Sequence, residues 1–121
     1  MILVVEDDAD TREALSEILD CAGYSVALAE NGLRALESVQ QDPPALILLD
    51  LSMPVMDGLT LLSKLRKRSE LANVPVIVMS ANAKGTGRRQ MPPNVVEVLS
   101  KPIDIRYMMQ LIKKHSADDL H

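Results

Sequence analysis

The stretch from Ala45 to Gly58 reads ALILLDLSMPVMDG. Ala45 to Leu49 are apolar and run straight into Asp50. A short, continuous apolar run bounded by turn residues predicts a strand buried on both faces. A carboxylate ending such a strand is costly unless it meets water, a cation or a partner. Asp50 is therefore expected at the mouth of a site on the C-terminal edge of a sheet, where open α/β sheets bind ligands. The plainer alternative is a turn or cap residue, since Asp is common in loops.

The flanking chain repeats this alternation. Ile2 to Val5 reads as a buried first strand, followed at once by Glu6, Asp7 and Asp8. Three adjacent carboxylates repel one another, and a cation would relieve them. Acidic residues also suit a first helical turn, so Asp8 or Asp10 caps the helix while Glu6 and Asp7 face the site. Thr11 to Ala22 carries Ala14, Leu15, Ile18, Leu19 and Ala22 in one amphipathic stripe, and Gly23 stops it. Cys21 falls in this segment and is expected as a small core residue.

Ser25 to Ala29 predicts a second strand, and Leu33, Ala35, Leu36 and Val39 a second helix. A third helix follows Gly58, with Leu59, Leu61, Leu62 and Leu65 as buried candidates. Pro75 to Met79 and Val95 to Leu99 predict the fourth and fifth strands. Between them, Lys84 to Asn94 is rich in Gly and Pro, which predicts at most one helical turn. Asp104 caps a last helix bearing Ile105, Met108, Met109, Leu111 and Ile112, and Ser116 to His121 reads as a polar, frayed tail.

Five strands alternating with helices predict a parallel sheet covered on both faces. The strand C-termini then bring Glu6 and Asp7, Asp50, Ser80 and Lys101 to one edge. Carboxylates gathered there make a hard, oxygen-rich site that suits Mg²⁺ or Mn²⁺ better than Zn²⁺. His115 and His121 lie away from that edge and are read as surface residues. With a cation present, one carboxylate can attack phosphorus to form an aspartyl phosphate. Lys101 offers a fixed positive charge and Ser80 a hydroxyl donor to the phosphoryl oxygens.

Composition narrows the partners. The chain has 121 residues and predicts one domain, with a core over about residues 2 to 115. A net charge of −4 argues against a nucleic-acid surface, and Lys64, Arg66, Lys67 and Arg68 read as a solvated helix face. Phe and Trp are absent, so aliphatics and Met fill the core and no base-stacking platform is available. Cys21 is the single cysteine, which excludes an internal disulfide. No apolar run approaches the ~20 residues of a membrane span. Met1 leads directly into a strand-like run, and a cytoplasmic protein is expected.

These residues resemble the receiver domain of two-component response regulators, of the chemotaxis type. The resemblance rests on VVEDD at Val4 to Asp8, DLSMPVMDG at Asp50 to Gly58, Ser80-Ala81 and Lys101-Pro102, and covers essentially the whole chain. It implies a flavodoxin-like sheet of order 2-1-3-4-5, here with a degenerate fourth helix. Asp50 matches the phosphoacceptor, and Glu6 and Asp7 the acidic pair. Ser52 matches the position whose backbone carbonyl completes a Mg²⁺ (or Mn²⁺) shell. Ser80 matches the switch hydroxyl, Lys101 the phosphoryl-pairing lysine, and Pro102 a proline after a cis bond. The implied partners are a histidine kinase or histidine phosphotransfer protein upstream and a protein target downstream. No membrane or nucleic-acid contact is implied, nor any enzymatic activity beyond the domain's own phosphorylation and dephosphorylation.

Two departures concern the output surface. Val98 stands where the family usually has an aromatic residue, and Lys84 to Asn94 replaces a regular fourth helix. Both point to an output in which the loop from Ala81 to Asn94 tightens on activation. Other readings fit less well. A docking module that keeps only the fold would not need Asp7, Asp50 and Lys101 together. A haloacid-dehalogenase-like hydrolase would want Asp, not Ser, at position 52. A flavin-binding module would want a phosphate loop where Glu6-Asp7-Asp8 would repel one.

Overall fold

The computed structural model describes residues 1–51, 58–68, 71–81 and 91–116. Five strands, β1 (Ile2–Val5), β2 (Val26–Ala29), β3 (Leu46–Asp50), β4 (Val76–Ser80) and β5 (Val95–Ser100), form one parallel sheet of order β2-β1-β3-β4-β5. The described helices are α1 (Ala9–Cys21), α2 (Gly32–Gln41), α3 (Gly58–Arg66) and α4 (Ile105–His115). The predicted flavodoxin-like order is thus observed.

Alternate residues of each central strand feed two cores. Leu3, Val5, Ile47, Leu49 and Val78 pack toward Ala35 and Val39 of α2 and Leu61, Leu62 and Leu65 of α3. Ile2, Val4, Leu46, Leu48 and Met79 pack toward Leu15 and Leu19 of α1 and Met108 and Ile112 of α4. Every residue of β1 and β3 is buried, which is why both read as unbroken apolar runs. Each such Leu, Ile or Val contributes about 1.5–3 kcal/mol of transfer free energy.

The helix ends follow local chemistry. Asp8, not Asp10, caps α1, accepting from the Thr11 amide at 3.0 Å and from the Thr11 hydroxyl. Those bonds, the hydroxyl's first, hold the Asp8 carboxyl below its ordinary range. Gly23 ends the segment at φ 96°, a conformation that costs glycine nothing. Asn31 caps α2 and Asp104 caps α4, as the sequence predicts for Asp104.

The observed burial corrects several expectations. Cys21 is exposed, not a core residue. It shares that fate with Ala14 and Ala22, because only Leu15 and Leu19 of α1 reach the sheet fully. Leu33 is 48% exposed at the start of α2. Ser116 belongs to the body and not to a frayed tail: it is buried, and its hydroxyl donates to the Ile112 carbonyl at the end of α4. His115 is half-buried.

Ser52, His121 and most of the degenerate fourth helix, residues 82–90, lie outside the described residues. Of that stretch, Met91 to Asn94 is irregular and runs into β5 through a turn in which Val95 N donates to Pro92 O at 3.0 Å. No described helix is long and apolar enough to cross a membrane.

Candidate functional site

Register builds the site. In β1 and β3, Ile2 pairs with Leu46 and Val5 with Leu49, so the next step sets Glu6 beside Asp50. Asp50 pairs with Met79, and Ser80 with Ser100, so the ends of β4 and β5 arrive level with it. Lys101 N donates to Ser80 O at 2.9 Å, extending the β4–β5 ladder into the site. The Lys101–Pro102 peptide bond is cis.

The side chains then converge. Lys101 Nζ lies 3.3 Å from Glu6 Oε1 and 3.4 Å from Asp50 Oδ2. Carboxylate oxygens of Glu6, Asp7 and Asp50 all lie within 4.8 Å of one another. Glu6 and Asp50 are buried, at 0% and 2% exposure, whereas Asp7 is open to solvent. Ser80 is also buried. Asp50 thus sits just inside the mouth rather than at its rim.

Two carboxyl groups buried side by side cannot both carry charge cheaply. Burial, then the hydrogen bond and charge of Asp50, pushes Glu6 up to about 8, against the opposing pull of Lys101. Burial also works against the Lys101 ammonium. Asp50 and Glu6 outweigh it and hold the lysine above its ordinary value. At neutral pH the metal-free site therefore keeps a proton on Glu6 and a firm positive charge on Lys101.

The sequence reading assigned no role to Arg12. Its Nη1 donates to Glu6 O at 2.9 Å and Asp7 O at 3.5 Å, tying the acidic turn to the first helix. Asp7 N donates to Glu6 Oε2 at 3.1 Å, which fixes the Glu6 side chain from the other end. A lone cation among acidic residues in the first turn of α1 was the available signal. It pointed to charge balance, while the actual contacts are to backbone carbonyls.

The donor set is oxygen-only and anionic, and so fits a hard divalent cation. A family model of the response regulator receiver domain matches residues 2–113. The chain belongs to the response regulator receiver family. The receiver is 30% identical to the polar-differentiation response regulator DivK of Brucella anthropi over 118 residues, 97% of this chain and 96% of DivK. It superposes on a sensor protein from Polaromonas sp. JS666 with a TM-score of 0.87 at 30% identity, covering 97% of this chain and 95% of that one. It also superposes on the response regulator TrrA of Thermotoga maritima, solved in complex with Mg²⁺ and BeF, with a TM-score of 0.80 at 30% identity, covering 93% and 96%.

The receiver is accordingly a phosphoacceptor signalling domain of two-component pathways, and the cluster of Glu6, Asp7 and Asp50 fits the Mg²⁺ site and the phosphorylated aspartate of such domains. Histidine kinases or phosphotransfer proteins are the partner class that the family implies.

The expected departure at position 98 is also visible. Val98 is half-buried, packed beside the α2–α3 core. The nearby aromatic is Tyr107 of α4, whose hydroxyl donates to Glu97 Oε2 at 2.8 Å.

Proposed function

We propose that Asp50 is the phosphoacceptor, that Glu6, Asp7, Asp50 and the Ser52 carbonyl hold the divalent cation, and that Ser80 and Lys101 receive the phosphoryl oxygens. The observation that carries this reading is the convergence of Lys101 Nζ on Asp50 and Glu6 at 3.4 and 3.3 Å. Lys101 is the sole cation in that buried triad, and its charge is held firmly.

The chemistry follows from the residues. An Asp50 carboxylate oxygen attacks the phosphorus of a phosphohistidine on the donor. A P–O bond forms, the P–N bond breaks, and the imidazole leaves with the bonding pair. Phosphoryl transfer needs placement and charge compensation more than covalent help. Mg²⁺ (or Mn²⁺), when bound, screens the phosphoryl oxygens from the carboxylates and neutralises charge that builds on them. Lys101 pairs with the new phosphoryl oxygens, and Ser80 donates a hydrogen bond to another. Both sit at strand ends joined by the Lys101 N to Ser80 O bond, so a shift in one moves the other. Hydrolysis of the acyl phosphate by water resets the domain. These two reactions on itself are the only chemistry proposed for it.

A seat for the donor lies beside the mouth. An apolar hollow of about 390 Å³ runs between α1 and the loop into α4, lined by Thr11, Ala14, Ile18, Lys101, Pro102 and Ile105 among others. It is open to a helix of a histidine kinase or phosphotransfer protein carrying the phosphohistidine toward Asp50. The chain works as one receiver domain with its core over residues 2–115 and a polar tail, in the cytoplasm where such donors present their histidines. The downstream target is a protein.

The test is labelling by a small phosphodonor. Acetyl phosphate with Mg²⁺ should add one phosphoryl group to the parent, detected by intact mass, and none to Asp50→Asn. Undiminished labelling of the variant rejects the assignment.

A further inference from the structure

The face of α3 away from the site carries a charge pattern that phosphotransfer does not use. Lys64, Arg66, Lys67 and Arg68 are all exposed, in a chain whose net charge is −4. Three other described cations are occupied. Arg34 pairs with Glu30 and Glu37, Arg12 binds the Glu6 carbonyl, and Lys101 binds the site carboxylates. Among the described residues no carboxylate lies within salt-bridge distance of the four α3 cations.

The backbone beneath them is hydrogen-bonded at Arg68. Leu65 and Leu71 are buried on either side, Arg68 N donates to Leu65 O at 3.1 Å, and Arg68 O accepts from Leu71 and Ala72. The charges thus project from the end of α3 where Arg68 is hydrogen-bonded on both sides. Placement in the last helical turn favours cations through the helix dipole, but this accounts for Lys64 and Arg66 within α3 and not for the two that follow.

The surface is shaped as well as charged. Shallow clefts of about 380 Å³ and 400 Å³ open beside Ser63 and Lys67, the second reaching Pro92. A third, of about 330 Å³, runs from Arg66 to Pro93 and Asn94. Asn94 donates through Nδ2 to Val74 O at 3.0 Å, which fixes its amide. Its Oδ1 is buried and has no hydrogen-bond partner. The covered amide closes the floor of this cleft, and the ligand-facing surface is left to Arg66 and the prolines.

We propose that the basic end of α3 and the Pro92–Asn94 corner form a docking surface for an acidic, extended segment of a partner protein. Charge and shape together set what one ligand must offer. The cations want carboxylates, and arginines pair with them in forked geometry. The clefts beside Ser63, Lys67 and Asn94 take a narrow, extended chain between those cations. A nucleic acid fits less well: the chain's net charge of −4 opposes its dense backbone charge, and the patch has no aromatic residue on which a base could stack. The surface lies on the α2–α3 side of the sheet, opposite α1 and the hollow beside Asp50, so a partner held here leaves the phosphodonor's approach open.

The full chain, labelled with ¹⁵N, would be titrated with a capped peptide of alternating glutamate and glycine. Amide shifts should concentrate at residues 63–68 and 94–96. Lys113 and Lys114 of α4 are an internal control, because they are basic and exposed but do not line these clefts. The double reversal Arg66→Glu with Lys67→Glu alters exposed side chains only and should weaken binding about tenfold or more while the unperturbed spectrum stays native. Equal shifts at Lys113 and Lys114, or unchanged affinity in the variant, overturns the proposal. So does a single-stranded oligonucleotide that binds the same residues as tightly. Dimerisation of the parent that the double variant abolishes would assign the surface to a second copy and overturn it too.

Discussion

The raised Glu6 carboxyl links the site to stability, and Glu6→Gln isolates that link. In the folded, metal-free protein Glu6 titrates at about 8, against an ordinary 4.5. Between those values the native state holds a proton that the unfolded chain releases. Glu6 therefore adds stability in mild acid, and that stability drains away as pH rises through about 8. The slope approaches about 1.4 kcal/mol per pH unit, and the full window is worth at most about 5 kcal/mol. The other resolved shifts act elsewhere. Asp8 is lowered, so its contribution is lost only as pH falls through its folded value, below 3.8. Lys101 is raised from 10.5, so its contribution is lost only in stronger alkali. Urea unfolding in EDTA, from pH 5 to 8, should show the parent losing stability while Glu6→Gln stays nearly flat. Gln mimics the protonated carboxyl, so the two should be similar at pH 5 and the variant more stable at pH 8. Parallel pH profiles for parent and variant would refute the reasoning.

Asp7→Asn should weaken Mg²⁺ binding about tenfold or more by calorimetric titration, since a carboxylate is lost from the cluster, while leaving the metal-free fold as stable or more so. Equal Mg²⁺ affinity counts against the site. Lys101→Ala should still accept a phosphoryl group from acetyl phosphate but lose most of the spectral change that follows; identical beryllofluoride-induced shifts in parent and variant would remove Lys101 from the switch. Arg12→Ala should cost about 1–2 kcal/mol in urea unfolding through the lost bond to the Glu6 carbonyl, and should lower Mg²⁺ affinity by loosening the acidic turn. A variant with unchanged stability and affinity would show that Arg12 does not position Glu6.

The central strands were legible because burial on both faces leaves no ambiguity of period. Ile2 to Val5 and Leu46 to Leu49 carry no polar residue, and each ends at a carboxylate. The parallel order then followed from alternation with helices, and the site from the residues just past the strand ends. Helix faces were harder to read. Apolarity alone makes the stripe on α1 one column too wide, taking in Ala14, Cys21 and Ala22, because small residues tolerate either side of a boundary. Asp8 and Asp10 were equivalent caps by composition, and only the reach of Thr11 to Asp8 decides between them. Arg12 was invisible as a site residue because its partners are carbonyl oxygens, which no side-chain pattern records. The proton on Glu6 was foreshadowed by three adjacent carboxylates, but its cause is burial against Asp50, a contact made across 44 residues of sequence.

The covalent bond to Asp50 decides whether the site is a phosphoacceptor. The parent would be phosphorylated with acetyl phosphate and Mg²⁺, reduced with borohydride, digested and sequenced by mass spectrometry. Reduction turns an aspartyl phosphate into homoserine and leaves free carboxylates untouched. Homoserine at position 50 alone is the predicted result. Homoserine at Asp7, a reduced acyl phosphate at Glu6, or no reduced residue in a protein that carries phosphate would contradict it.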